Sequence, residues 1–250
     1  AESTERLLVI PSSELSFVLP GDAEGHLLAF GIDEDPLEFV RTRPDLAAAA
    51  TWVAEHAGVA YLAHPYWTGV AANGFSLEEG VAGLEVYNGG CELETGRGHS
   101  SVHWDDLLER GEHCHGIASD DSHHAKLDSC VAWVWVRVPE PSQAAILAAL
   151  ASGSFYSSAG PVLHGLDADD GIVEVRCSPC QRVTLCAGTR RGSSVSAGPH
   201  GYHHRAEVLE ESEDGEITAA RLQRPRGAPF GRLELIDAYG RKAWTNPLWP

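Results

Sequence analysis

Carboxylates and imidazoles recur along this 250-residue sequence at positions suited to divalent metal ions. Glu14 follows LLVIPSS, His26 opens HLLAFGI, His64 follows VAYLA, Glu85 lies within GLEVYN, and a Ser119 to His124 cluster, SDDSHH, follows HGIA. Carboxylate oxygen and neutral imidazole nitrogen together suit Zn²⁺, Mn²⁺ or Fe²⁺, and several such groups at one mouth of a sheet hold two or more ions. A bound ion lowers the pKa of its water to give a hydroxide nucleophile at neutral pH, while a neighbouring ion polarises the oxygen of the bond being cut. The chemistry expected is hydrolysis, with Glu14, His26, His64, Asp121 and His123 as metal ligands. Taken singly, a His or Glu near a strand end is most often structural, so the joint order of the five carries the expectation.

Other residues add to the site or compete with it. Arg97, His99 and His103 lie beyond Glu85, where they could bind an anionic leaving group or act as a general acid; a plain helix-surface role is as good an account. Tyr66 and Trp67, next to His64, could wall a pocket for a ring-bearing substrate, although core packing is the slightly better account. Cys177 and Cys180 stand in CxxC spacing and, with Cys186, His203 and His204, could form a structural zinc site; a strand end is the blander account. His113 and His115 alternate around Cys114 without a clear ligand role. Ser119 and Ser122 lack a GxSxG elbow, and two adjacent aspartates would oppose a developing oxyanion. No P-loop or GxGxxG is present.

The elements that must position these side chains follow from hydrophobic periodicity. LLVI (7–10) reads as a buried strand running into the loop that holds Glu14, and HLLAFGI (26–32) as a second strand with His26 just before it. Asp45 is a plausible N-cap for a helix through LAAAATWVAEHAG that closes at Gly58. Strands are expected at 59–64, 83–88, 115–119 and 131–138, with helices around SSVHWDDLLERG and from Ser142 to Gly153. Strand and helix alternate for about 150 residues, the pattern of a parallel α/β sheet. After GPVLHG, short alternating segments separated by Gly, Pro and Asp predict a small antiparallel sheet or sandwich, with a boundary near Gly160.

In this order the strings IPSSELS, GHLLAFGI, LAHPYW, LEVYN and ASDDSHH resemble the PHP (polymerase and histidinol phosphatase) superfamily of metal-dependent hydrolases. Asp121 and His123 look like its closing D-x-H metal motif, Glu14 like its bridging carboxylate, and His26 and His64 like its middle histidines. CELETGRG, HWDDLL, the doubled His after DDS and GRKAWTNPLW make the carbaryl-hydrolase-like branch the most similar. The resemblance covers nearly the whole chain. It implies a distorted (β/α)7 barrel over residues 1–159, holding up to three Zn, Mn or Fe ions, and an appended antiparallel β domain over 160–250. No HxH motif stands ahead of the first strand as in the superfamily, no TDH occurs, and no Met occurs at position 1 or anywhere else, so an N-terminally truncated chain is expected.

The bulk properties agree with a globular chain. Lys plus Arg number 18 against 36 Asp plus Glu, a net charge of −18, which repels nucleic acid and anionic membranes. No run reaches the length of a membrane span, no signal peptide opens the chain, and six cysteines are too few for a disulfide scaffold, so a cytoplasmic location with reduced thiols is expected. The partner expected is a small-molecule substrate. The leading expectation is a phosphoesterase in which Asp121 and His123 hold one ion and Glu14 bridges two, with Arg97 and His99 assisting. A carboxyl-ester, carbamate or amide hydrolase on the same metals is the alternative, favoured by apolar Tyr66, Trp67 and Trp104. A non-catalytic binding module that has lost its metal site is the third.

Overall fold

The computed structural model describes residues 7–72, 75–169, 171–198 and 201–250. Its first two strands are β1 (Ser12–Val18) and β2 (Glu24–Phe30). In β1 the alternation is plain: Leu15 and Phe17 point inward while Glu14 and Ser16 take the other face, a period-two pattern that suits a half-buried strand. The expected strand at 7–10 is displaced to this segment; residues 8–10 have no regular structure and Leu7 is 59% exposed. Glu14 and His26 therefore lie within strands rather than beside them.

A tight reversal joins β1 to β2, with the N–H of Leu19 donating to Ala23 O and Gly21 and Asp22 at positive φ. There is no room in it for a crossover helix, so the two strands run antiparallel. Next come α1 (Leu37–Val40), α2 (Leu46–Glu55), β3 (Val59–Leu62), α3 (Pro65–Thr68), β4 (Val81–Asn88), α4 (Gly89–Thr95), α5 (Ser101–Glu109) and β5 (His115–Ser119). The expected cap of α2 is present, since Asp45 Oδ1 accepts from the N–H of Ala48 at 2.8 Å. β1 to β5 form one sheet in sequence order, antiparallel across β1–β2–β3 and parallel across β3–β4–β5. β4 and β5 approach so closely that a Cβ on Gly83 would lie 1.9 Å from His115 O.

The remaining elements are β6 (Trp133–Val136), α6 (Gln143–Ser152), β7 (Phe155–Ser158), β8 (Leu163–Asp169), β9 (Ile172–Cys180), β10 (Arg182–Cys186), β11 (Gly192–Ser196), β12 (His203–His204), β13 (Ala206–Glu211), β14 (Ile217–Gln223), β15 (Arg232–Ile236) and β16 (Lys242–Thr245). They build an antiparallel seven-stranded sheet, β12-β11-β10-β15-β16-β7-β6, and an antiparallel four-stranded sheet, β13-β14-β9-β8. The seven-stranded sheet crosses the boundary expected near Gly160, because β6 and β7 precede it and the other five strands follow it.

This architecture corrects the (β/α)7 barrel expectation. The described residues hold about twice as many strand as helix positions, the strands form three sheets of linear order, and none closes into a barrel. Two features account for the difference. The early strands reverse through a turn, and the apolar run VAWVWVRV pairs antiparallel with β7 instead of extending the parallel set. Among the described residues, no helix is long and apolar enough to cross a membrane.

One core cluster joins Leu15, Phe17, Leu27, Val53, Leu84 and Trp104 to Phe230 and Trp244 from the end of the chain. A second lies between the later sheets, around Val175, Val183, Leu222 and Leu235. The fully buried Arg232 on β15 donates to both carboxylate oxygens of Asp105 on α5 at 2.7 Å and stacks over the Trp104 ring at 5.0 Å, tying the later strands to the earlier helices.

Candidate metal centre

Register brings Glu14 and His26 together. Glu14 pairs with Leu28 and His26 with Ser16, so the two side chains are diagonal neighbours on the face opposite Leu15 and Phe17. β3 runs beside β2, and the N–H of Ala63 donates to His26 O at 3.0 Å, which delivers His64 to the same place just past the strand end. His64 adopts φ 25°, ψ 56°, a strained backbone for a residue with a side chain, and Pro65 then opens α3.

The three ligand atoms make a nearly equilateral triangle. Glu14 Oε1 is 3.0 Å from His26 Nδ1 and 3.2 Å from His64 Nε2, and the two nitrogens are 3.3 Å apart. Bonds of about 2.0–2.1 Å at tetrahedral angles put neighbouring ligand atoms about 3.3 Å apart, so the triangle matches one face of a tetrahedral zinc-type site. His64 Nδ1 lies 3.2 Å from Thr68 Oγ1, which turns Nε2 toward Glu14. Hydrogen bonds from His26 and then His64 hold the Glu14 carboxyl well below the usual range, at about 2, and the bond to Glu14 raises the His26 pKa. Trp67 packs against both imidazoles, stacked on His26 at 6.4 Å and edge-on to His64 at 4.9 Å.

Behind the triangle lies Glu85, only 1% exposed, whose pKa is raised by burial. Its Oε2 accepts from the N–H of His64 at 2.7 Å and from Asn88 Nδ2 at 2.9 Å, and its Oε1 accepts from the Ser119 hydroxyl. Asn88 Nδ2 also donates to Asp121 Oδ2 at 3.1 Å, while its Oδ1 accepts from the N–H of Cys91 and caps α4. A continuous polar chain thus runs from His64 through Glu85 and Asn88 to Asp121.

Asp121 has φ 48°, a second non-glycine residue at positive φ among the expected ligands. Its loop is stapled by two carboxylates. Asp120 accepts from the N–H groups of Cys130, Val131 and Ala132, and the buried Asp128 accepts from those of His123 and His124 and from the Ser122 hydroxyl.

Of the five expected ligands, Glu14, His26 and His64 converge, and among the described residues they are the only group of three or more such side chains with ligand atoms within 4.8 Å of one another. Asp121 joins them through Asn88 and Glu85. His123 lies outside the triangle, its side chain 66% exposed and its Nδ1 2.9 Å from Asp121 O. Arg97 lies over the Tyr66 ring at 5.4 Å. His99 packs on Tyr87 and Trp244 and lines a cavity of about 380 Å³ with Tyr87 and Trp133. His103 is buried with Nε2 2.8 Å from Val70 O, His113 stacks on Trp249, and His115 packs against Phe155.

The four-ligand zinc arrangement is not assembled: Cys177 and Cys180 are buried on β9, whereas His203 and His204 are exposed on β12 opposite Val195 and Ser194. Asn88 and Asp128 escape the sequence analysis. The only sequence signal for Asn88 is its place before GGCELET, where an Asn caps a helix. No protein-family model matches the chain, and no curated protein matches it.

Proposed function

We propose that this protein is a metal-dependent hydrolase of the PHP type, acting on phosphoesters. The single observation that carries the proposal is the triangle of Glu14, His26 and His64, whose donor types and spacing fit a divalent ion such as Zn²⁺ or Mn²⁺. A bound ion would supply an acidified water as nucleophile and an electrophile for the substrate oxygen. The residues of the chain do the rest. Thr68 and Glu85 fix the side chain and the backbone of His64, so that its Nε2 stays aimed at the shared point. Glu14 stays ionised at neutral pH and contributes the negative charge that favours a cation there. Asn88 turns one Asp121 oxygen toward the same polar chain, and Trp67 covers one side of the imidazoles and limits the approach of water. Arg97, held over the Tyr66 ring of α3, is the candidate to attract an anionic substrate group.

Trp67 also favours a second reading, an ester or carbamate hydrolase for ring-bearing substrates, since an aromatic wall beside the ligands suits an apolar group better than a phosphate. Both are tested by metal analysis of the purified protein and of His64→Ala and Glu14→Gln, followed by assay of p-nitrophenyl phosphate against p-nitrophenyl acetate with added Zn²⁺ or Mn²⁺. The expected result is bound metal that each substitution removes, with faster turnover of the phosphate ester. Equal metal content in all three proteins removes the proposal, and turnover of the acetate alone selects the second reading.

A further inference from the structure

Cys177 and Cys180 lie on one strand three residues apart, a spacing that in a regular strand puts side chains on opposite faces. Here both face inward: Cys177 is 3% exposed and Cys180 is 0% exposed, while Pro179 between them is exposed. The register explains this. Between Arg176 and Cys180 the strand advances four residues, but its partner β14 moves only from Ala219 to Ile217, so two extra residues are accommodated in a bulge. The bulge reverses the facing of Cys180, so both thiols enter the same core cluster, where the Cys177 thiol donates to Ile217 O at 3.8 Å. It is braced from β8's side, where Ser178 and Val162 exchange two hydrogen bonds, N–H to carbonyl at 2.8 Å and N–H to hydroxyl at 2.9 Å.

We propose that Cys177 and Cys180 form a dithiol–disulfide pair, a site of reversible oxidation by peroxide built into the bulge of β9. The Cys177 sulfur, as thiolate, attacks one peroxide oxygen. The O–O bond breaks, hydroxide leaves and takes up a proton, and Cys177 becomes a sulfenic acid. The Cys180 sulfur then attacks Cys177, displaces the hydroxyl as water and closes the S–S bond. Two thiols and one hydrogen peroxide thus give one disulfide and two waters, and a dithiol reductant reverses the change.

The chemistry of the neighbours singles out this pair. The neighbouring Cys180 lowers the Cys177 pKa, whereas burial raises those of Cys91, Cys114 and Cys186. The nearly complete burial of Cys177 makes the oxidation slower than that of exposed Cys130.

The sequence makes the test direct. Arg176 and Arg182 flank the pair, so trypsin releases Cys177–Arg182 with both thiols and no other cysteine. The native protein is treated with hydrogen peroxide, quenched, unfolded in N-ethylmaleimide, digested and weighed. The expected peptide is two hydrogens lighter than the reduced form and carries no maleimide; dithiothreitol before unfolding restores two maleimides. In Cys180→Ser, dimedone is expected to trap the sulfenic acid on Cys177. Two maleimides on the wild-type peptide after Cys130 has been fully oxidised overturn the proposal, as does a disulfide joining either cysteine to another part of the chain. The wild-type measurement stands whether or not the variant folds.

Discussion

The backbone N–H of His64 donates to Oε2 of Glu85 across 2.7 Å, linking the strained end of one strand to a carboxylate sealed inside the next. Removing that carboxylate leaves three donors, His64 N–H, Asn88 Nδ2 and Ser119 Oγ, without their acceptor. Glu85→Ala is expected to cost about 3 kcal/mol, from roughly 1–3 kcal/mol for each stranded buried donor, summed incompletely. Because burial raises the Glu85 pKa, the neutral isostere Glu85→Gln is expected to cost much less. Urea denaturation of both variants checks the order, and equal stability of Glu85→Ala and the parent would dismiss the network.

The pair Arg232 and Asp105 supports a second prediction. Arg232 is 1% exposed and depends on Asp105 for two charge-assisted hydrogen bonds, so Asp105→Ala leaves this buried cation only the longer 3.8 Å carboxylate contact with Glu234. The expected loss is about 3 kcal/mol, the low end for a buried pair, because Asp105 is partly open to water. Replacing both partners, Asp105→Leu with Arg232→Met, is expected to recover most of it. Thermal denaturation of the two proteins decides, and a double variant as unstable as the single one would count against charge as the cause.

His115 gives the pH dependence a sign. Burial, the largest influence, lowers its pKa below the ordinary 6.5, so the unfolded chain takes up the proton first. Its contribution is intact above pH 6.5, and stability declines as pH falls from there through the folded pKa. Between pH 7 and 5, His115→Gln is expected to show a shallower fall in urea midpoint than the wild type. Parallel curves for the two proteins would rule out this histidine as a source.

The three longest helices, α2, α5 and α6, were the most legible part of the fold, whereas α1, α3 and α4 had no counterpart in the sequence reading. Ala-rich runs between a capping residue and a glycine mark α2 and α6, and the structure supplies the bonds: Asp45 to Ala48, and Ser142 to Ala145 at 3.2 Å, with Gly153 left-handed at the end of α6. Strand pairing was less legible, because direction depends on connections. The same apolar run, VAWVWVRV, suits a parallel or an antiparallel neighbour, and only the contact with β7 decides. LLVI looked like a better strand than SSELSFV, since a half-buried strand carries polar residues on its open face. For the site, the residue types of Glu14, His26 and His64 drew attention in the sequence. Their meeting depends on a diagonal register, and the links through Asn88 and Asp128 depend on loop geometry that spacing does not encode.

Trp244 and Phe230 complete the cluster that contains Leu15 and Leu27, more than 200 residues earlier in the chain. During synthesis the sheet of β1 to β5 therefore emerges with its hydrophobic interior unfinished, and the interior closes only when β16 arrives. Glu14 on β1, His26 on β2 and His64 just past β3 stand on that sheet, so residues more than 150 positions downstream steady the triangle, and a stop codon before Phe230 would disturb it from far away.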